Sequence, residues 1–276
     1  MVVSDITKVQ AIEGFMRLCS DGWEQGWHER NGGNLTYRMT QDDVEACRPF
    51  FYNPRPWVKM EVKAENLAGE YFITTGSGKY FRNVALHPHH NIGIVEINED
   101  GDSWRIVWGL INGAQPTSEF PTHFMNHSVR KAATDGANRV IYHCHATNII
   151  AMTYVVPLTN KAFTKALWQS ATECPVVFPE GVGVVPWMVP GGHDIALATS
   201  ELMKTFQAAV WAQHGLFVSG PDYDTAFGLA HTIEKSADVY CKVMATGHPI
   251  LQTITDDNLK AIAKEFVVTL NQDMFD

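Results

Sequence analysis

Val140-Ile141-Tyr142-His143-Cys144-His145-Ala146 is the stretch from which the fold of this chain is read. β-Branched and aromatic residues lead in, and Ala146-Thr147-Asn148 opens a helix, so the stretch is the end of a buried strand. Side chains alternate along a strand, which sends His143 and His145 to one face and Cys144 to the other. Two imidazoles one strand repeat apart can both reach a single divalent ion at about 2.0–2.1 Å. The same pair also reads as two ordinary histidines at a strand edge, and H-x-H alone does not decide between the two.

Downstream, residues 147–155 and 161–170 carry helix spacing, and residues 175–178 read as a short strand. Gly181, Gly183, Pro186, Pro190, Gly191 and Gly192 make a turn-rich stretch before a helix over 193–207. The apolar run Ala208-Ala209-Val210-Trp211-Ala212-Gln213 then breaks to His214-Gly215, and a second short strand covers 216–219. Helices over 224–246 and 255–266 complete the order. His214 thus ends its strand much as His143 and His145 end theirs, and strand termini are where α/β folds place ligands. A lone histidine there is commonly a hydrogen-bonded packing residue. Three imidazoles from two strand ends match a catalytic zinc site whose fourth position stays open, whereas closed structural sites usually use cysteine.

Upstream, residues 5–27 have helix spacing and break at Asn31-Gly32-Gly33-Asn34, after which residues 35–38 alternate like a strand. The paired glycines allow a positive φ and a close backbone approach, which suits either a plain turn or a bound anion. Residues 41–70, punctuated by Pro49, Pro54 and Pro56, show no sustained period and read as irregular or partly helical. Residues 71–74 form a strand that runs into Thr75-Gly76-Ser77-Gly78-Lys79, a glycine turn able to offer N–H groups and a hydroxyl to a phosphate. It is not a Walker A loop, because Tyr80 stands where Ser or Thr should follow the lysine. A hairpin over 92–97 and 104–110 precedes Pro116-Thr117-Ser118-Glu119-Phe120-Pro121, where Thr117 or Ser118 is placed to cap a helix running to about residue 133. Glu119 is then a first-turn acid favoured by the helix dipole, unless the neighbouring histidines recruit it.

The 276 residues carry 45% hydrophobic and 18% charged side chains, enough for a sizeable core, and neither repeats nor a linker divide them. They are therefore expected to form one α/β domain. A net charge of −9 argues against a nucleic-acid partner, whose footprint is a basic patch. Any anionic substrate must then be held locally, by N–H groups and hydroxyls. The five cysteines are scattered, with no C-x-x-C pair. Together with the lack of a signal-peptide pattern or a membrane-length apolar run, that points to the cytoplasm.

N-G-G-N (31–34), T-G-S-G-K (75–79), P-T-S-E (116–119), H-C-H-A-T-N (143–148) and Q-H-G (213–215), in this order and at these spacings, resemble the class II (zinc-dependent) sugar-phosphate aldolases. The similarity extends through 27–36, 81–84, 170–174 and 184–191 and covers essentially the whole chain, departing at 41–70 and in the C-terminal tail. It implies a single domain over 1–276 with a central, mainly antiparallel β-sheet flanked by helices, the fold also of the adducin head. It further implies one Zn²⁺ per subunit on His143, His145 and His214, with Glu119 as the catalytic carboxylate. By the same resemblance, Asn31, Asn34, Ser77, Gly78, Thr117 and Ser118 hold the phosphate and ketose oxygens. Glu173 becomes a second catalytic acid reaching a neighbouring subunit of a fourfold homotetramer with interfacial active sites. The contexts P-T-S-E and S-A-T-E-C imply retro-aldol cleavage of L-rhamnulose 1-phosphate to dihydroxyacetone phosphate and L-lactaldehyde, in rhamnose breakdown.

Cleavage leaves negative charge on the dihydroxyacetone carbon, which a metal can spread as a Lewis acid while a carboxylate moves the proton. Pentulose-phosphate 4-epimerases and a related dehydratase resemble the same fold, and the adducin head resembles it without the metal histidines. Spacing alone also permits a zinc hydrolase.

Overall fold

The computed structural model describes residues 5–52 and 54–275. The opening stretch lies near the middle of its sheet. In chain order the first elements are α1 (Gln10–Glu24), β1 (Asn34–Arg38), α2 (Gln41–Cys47), β2 (Val58–Lys59), β3 (Tyr71–Thr75) and α3 (Pro88–Asn91). Then come β4 (Ile92–Ile97), β5 (Ser103–Gly109), α4 (Phe120–Ala133), β6 (Val140–Cys144), α5 (Thr147–Met152) and α6 (Asn160–Trp168). The rest are α7 (Cys174–Val177), β7 (Gly183–Val185), α8 (His193–Leu202), β8 (Ala208–Trp211), β9 (Gly215–Gly220), α9 (Tyr223–Ala245) and α10 (Asp256–Glu265).

The strands make one nine-stranded sheet in the order β2-β5-β4-β3-β1-β6-β9-β8-β7. Every neighbouring pair is antiparallel except β7 with β8. That parallel pair needs a crossover, and α8 supplies it. The mainly antiparallel sheet is the one expected, and helices cover both of its faces. Val140, Tyr142 and Cys144 of β6 pack into the layer that includes residues of α1, α5, α6 and α9. Ile141, from the opposite face, packs with Ile195 of α8, Trp211 and Phe217. His143 lies on Ile141's face, its ring stacked on Phe217 with centroids 4.8 Å apart. No helix among the described residues is long and apolar enough to cross a membrane.

One local reading changes, and another is made definite. Residues 175–178 are not a strand: 174–177 form the helical turn α7. Pro175 has no N–H for a ladder, and its fixed φ suits a first helical turn, which outweighs the β preference of Val176 and Val177. The strand of this region is instead β7, inside the turn-rich stretch. Within 41–70, the structure shows a defined helix, α2, closed by a capping box in which Thr40 Oγ1 accepts from the Asp43 N–H at 3.1 Å.

Candidate metal centre and active site

β6 ends at Cys144, so His143 lies within the ladder and His145 one residue beyond it, while His214 occupies the tight turn between β8 and β9. Because β9 pairs with β6, that turn is carried to the end of β6 and His214 reaches the other two imidazoles. The ring centroids stand 4.9 Å apart for His143–His214, 4.9 Å for His145–His214 and 5.2 Å for His143–His145. One nitrogen from each ring falls within 4.8 Å of the others, and no further His, Cys, Asp or Glu joins them among the described residues.

His143 Nε2 and His214 Nε2 are 3.4 Å apart. Two nitrogens about 2.0–2.1 Å from a tetrahedral ion stand roughly 3.3–3.4 Å apart, so this pair already has the separation a bound ion requires. Their protonation fits as well. His143 Nδ1–H donates to the Leu216 carbonyl at 3.1 Å, leaving Nε2 with its lone pair. His145 Nδ1 lies 2.6 Å from Glu29 Oε1, a carboxylate that fixes its ring in the same way. Burial holds His143 well below its ordinary pKa and His214 at about 4, so both are neutral ligands near pH 7. Three imidazoles with no fourth protein ligand form the open kind of site.

Glu119 is not inside the first turn of α4 but at its N-cap position, and its side chain makes no capping hydrogen bond. Asn34 Nδ2 donates to Glu119 Oε2 at 2.8 Å. Asn34 is also the cross-strand partner of His143, so this one hydrogen bond sets Glu119 beside the histidine cluster. Burial pushes the Glu119 carboxyl up, while the Asn34 amide and the charge of His145 pull it back down. Gly33 lets the chain enter β1 here. At φ 74°, with a Cβ that would stand 2.6 Å from the His143 carbonyl oxygen, the position admits no side chain.

The loops after β3 and before α4 are stitched together. Gly76 bridges Pro116, the Thr117 N–H donates to the Thr75 carbonyl at 2.8 Å, and the Ser77 N–H donates to the Gln115 carbonyl at 2.9 Å. The bridge is antiparallel, so it sets Ser77 opposite Gln115 and Thr117 opposite Thr75, with Ser77, Gly78 and Ser118 exposed and Thr117 buried. The Ser77 N–H is occupied by Gln115, however, so an anion would meet the exposed Ser77 hydroxyl and not that amide. Asn31 is exposed on the loop whose Gly32 packs against the His145 ring. Glu173 is exposed ahead of α7, and its carboxylate makes no hydrogen bond or ion pair among the described residues. Within one chain it is not brought into contact with the cluster.

An open hollow of about 470 Å³ lies over the histidines, lined in part by Glu29, His145, Gln213 and His214. A larger one of about 700 Å³, lined in part by Arg17, Asp21, Tyr37 and Asp222, holds none of these residues, so size does not locate the site. Glu29 escaped notice in the sequence because nothing local marks a carboxylate that meets a histidine 116 positions away. His123 and His127 escaped notice as well, although their four-residue spacing on one helix face was a legible signal.

The model of the Class II Aldolase and Adducin N-terminal domain matches residues 13–241. The chain belongs to that family. Among its class II aldolase relatives, "Rhamnulose-1-phosphate aldolase" of Klebsiella pneumoniae subsp. pneumoniae is 48% identical over 265 residues, 96% of each chain. The protein of the same name from Yersinia pestis is 47% identical over 258 residues, 94% of each. Among solved class II aldolase structures, the sugar-phosphate aldolase of Thermotoga maritima superposes with a TM-score of 0.72 at 24% identity, over 87% of this chain and 97% of that one. An L-fuculose 1-phosphate aldolase gives 0.60 at 19% identity, over 97% and 98%. These two likenesses bear on the fold alone.

Proposed function

We propose that this class II aldolase cleaves L-rhamnulose 1-phosphate to dihydroxyacetone phosphate and L-lactaldehyde by a metal-dependent retro-aldol reaction. The observation that carries the reading is the convergence of His143, His145 and His214 beside Glu119, in a chain nearly half identical to relatives named for this activity. The same cluster disfavours a metal-free interaction module of the adducin-head kind.

The ion proposed is one Zn²⁺ per subunit, which three imidazoles and an open position suit. When bound, it would act as a Lewis acid toward the ketose oxygens. The chain's own residues do the rest. Glu119, poised by burial and oriented by Asn34, takes up and returns the proton at its carboxylate. Asn31, Asn34, Ser77, Gly78, Thr117 and Ser118 hold the phosphate and hydroxyl groups through neutral donors, as an acidic chain requires. Ser77→Ala should therefore raise KM for the phosphorylated ketose by about 5- to 10-fold with kcat little changed. Steady-state kinetics decide it, and an unaltered KM would remove the loop from the phosphate site.

Residues 1–276 are proposed to act as one catalytic domain in a homotetramer, with Glu173 serving a neighbouring subunit's site. The exposed Trp187 and Val189 on the β7–α8 loop support such an interface. The cytoplasm is the proposed location, with all five cysteines free. The deciding experiment measures lactaldehyde release from a panel of ketose 1-phosphates, with metal content and solution mass on the same sample. Cleavage of L-rhamnulose 1-phosphate above the others, one zinc per chain and a mass of four chains are expected. Preference for epimerisation of a pentulose phosphate would overturn the reaction assigned.

A further inference from the structure

Behind Glu119, on the side away from solvent, runs a buried file of polar groups of which only Asn34 has a role in the proposed reaction. β1 alternates Asn34, Thr36 and Arg38 on the face under α4, and all three are buried. Against them α4 sets His123 and His127, with 0% and 1% of their surfaces exposed. Thr36 Oγ1 lies 2.8 Å from His123 Nδ1 and 2.8 Å from His127 Nε2. His123 Nε2 meets Asn34 Oδ1, and Asn34 Nδ2 donates to Glu119 Oε2 at 2.8 Å.

The direction of this file is fixed from both ends. Burial pushes His123 down to about 3 and His127 well below its ordinary value, so each ring carries a single proton. His127 Nδ1 has no partner, and a proton there would be a buried donor without an acceptor. The proton therefore sits on Nε2, which donates to Thr36. The Thr36 hydroxyl must then donate to His123 Nδ1, His123 Nε2–H to Asn34 Oδ1, and the Asn34 amide to Glu119. At the other end the carboxylate is an acceptor only, which demands the same order.

We propose that Thr36, His123 and His127 are positioning residues forming a one-way hydrogen-bond chain that dictates which end of the Asn34 amide faces Glu119. An amide is nearly symmetric in shape, so packing alone does not stop it from turning over. Turned over, Asn34 would set its carbonyl oxygen against the carboxylate and drive it from its place. The chain lets no member reverse alone, because one reversal leaves two donors or two acceptors facing each other. Bonds in such a file also polarise one another.

The proposal rests on the aldolase reading, and its test separates the two. Thr36→Val keeps the shape and removes the hydroxyl that carries the order; Thr36→Ser keeps the hydroxyl. Thr36→Val should lower kcat for cleavage about 10- to 100-fold, the scale of a lost hydrogen bond to a charged group, with KM and metal content within about twofold of wild type. Thr36→Ser should restore kcat to within a few-fold, on the order of what one retained hydrogen bond secures. Should Thr36→Val fold poorly, His123→Gln, which still offers a donor to Asn34, is expected to outperform His123→Met. Neutron diffraction on the wild type should show deuterium on Nε2 and none on Nδ1 of both His123 and His127. Deuterium on either Nδ1, or a Thr36→Val enzyme with wild-type kcat, overturns the chain. A wild type that cleaves no ketose phosphate overturns the aldolase reading, while the neutron map still decides the order of the protons.

Discussion

His214→Ala is expected to empty the metal site and lower cleavage by about 10⁴-fold or more, with little loss of thermal stability in the metal-free protein. His143 and His145 come from one strand end, and two imidazoles alone offer a divalent ion half of a tetrahedral shell. His214 closes the site from a separate hairpin, so its removal takes away the ligand that only the folded sheet supplies. The side chain is partly exposed in a turn, and its loss opens no core cavity. Metal analysis by plasma emission, together with kcat and a melting curve, checks all three parts of the expectation. A variant that still holds one ion per chain and turns over would show that His214 is a packing residue. Glu29→Gln offers a graded companion, since it weakens the orientation of His145 and leaves every ligand in place.

How much of this could be read from the chain depends on how local each feature is. The H-x-H pair was legible because strand periodicity alone puts both imidazoles on one face, and His214 because an apolar run breaks at it. The convergence was not legible from residues alone, since it depends on β9 lying beside β6, a pairing set by packing over some seventy positions. At 175 two signals compete, since Val176 and Val177 suggest a strand while Pro175 suits the first turn of a helix, and the proline prevails. The T-x-x-D signal at Thr40–Asp43 marks α2 just as plainly, inside a stretch whose prolines make it read only as irregular or partly helical. Glu119 shows the limit most sharply. As sequence it is an acid near a helix start, and only the hydrogen bond from Asn34, the neighbour of His143 across the sheet, makes it part of the site. The polar side of β1 shows the same limit. Alternation with Leu35 and Tyr37 marks the strand and does not say what covers its polar face, which α4 buries against its own histidines.

Glu119→Gln should leave metal content unchanged and lower solvent exchange of the dihydroxyacetone phosphate α-proton by about 10³-fold, within the range that general acid–base catalysis supplies. The substitution keeps the size of the side chain and can still present an oxygen to the Asn34 amide, so the surroundings are preserved. What disappears is the ability to carry a proton. After carbon–carbon cleavage the dihydroxyacetone carbon holds an excess of electrons and must collect a proton before product leaves. Lysines and arginines do not offer it here, because none lines the hollow over the histidines among the described residues. Burial sharpens the assignment: it pushes the Glu119 carboxyl up, toward the pH at which a group both accepts and donates readily. The base form is lost as pH falls through that raised value, so the acid limb of exchange should lie above the range of an ordinary glutamate and vanish in the variant. Exchange followed by loss of the proton NMR signal in D₂O reads this step without cleavage or aldehyde release. Undiminished exchange would move the proton to another group, and Glu29, whose carboxylate lies 2.6 Å from His145 Nδ1, is the acid to replace next.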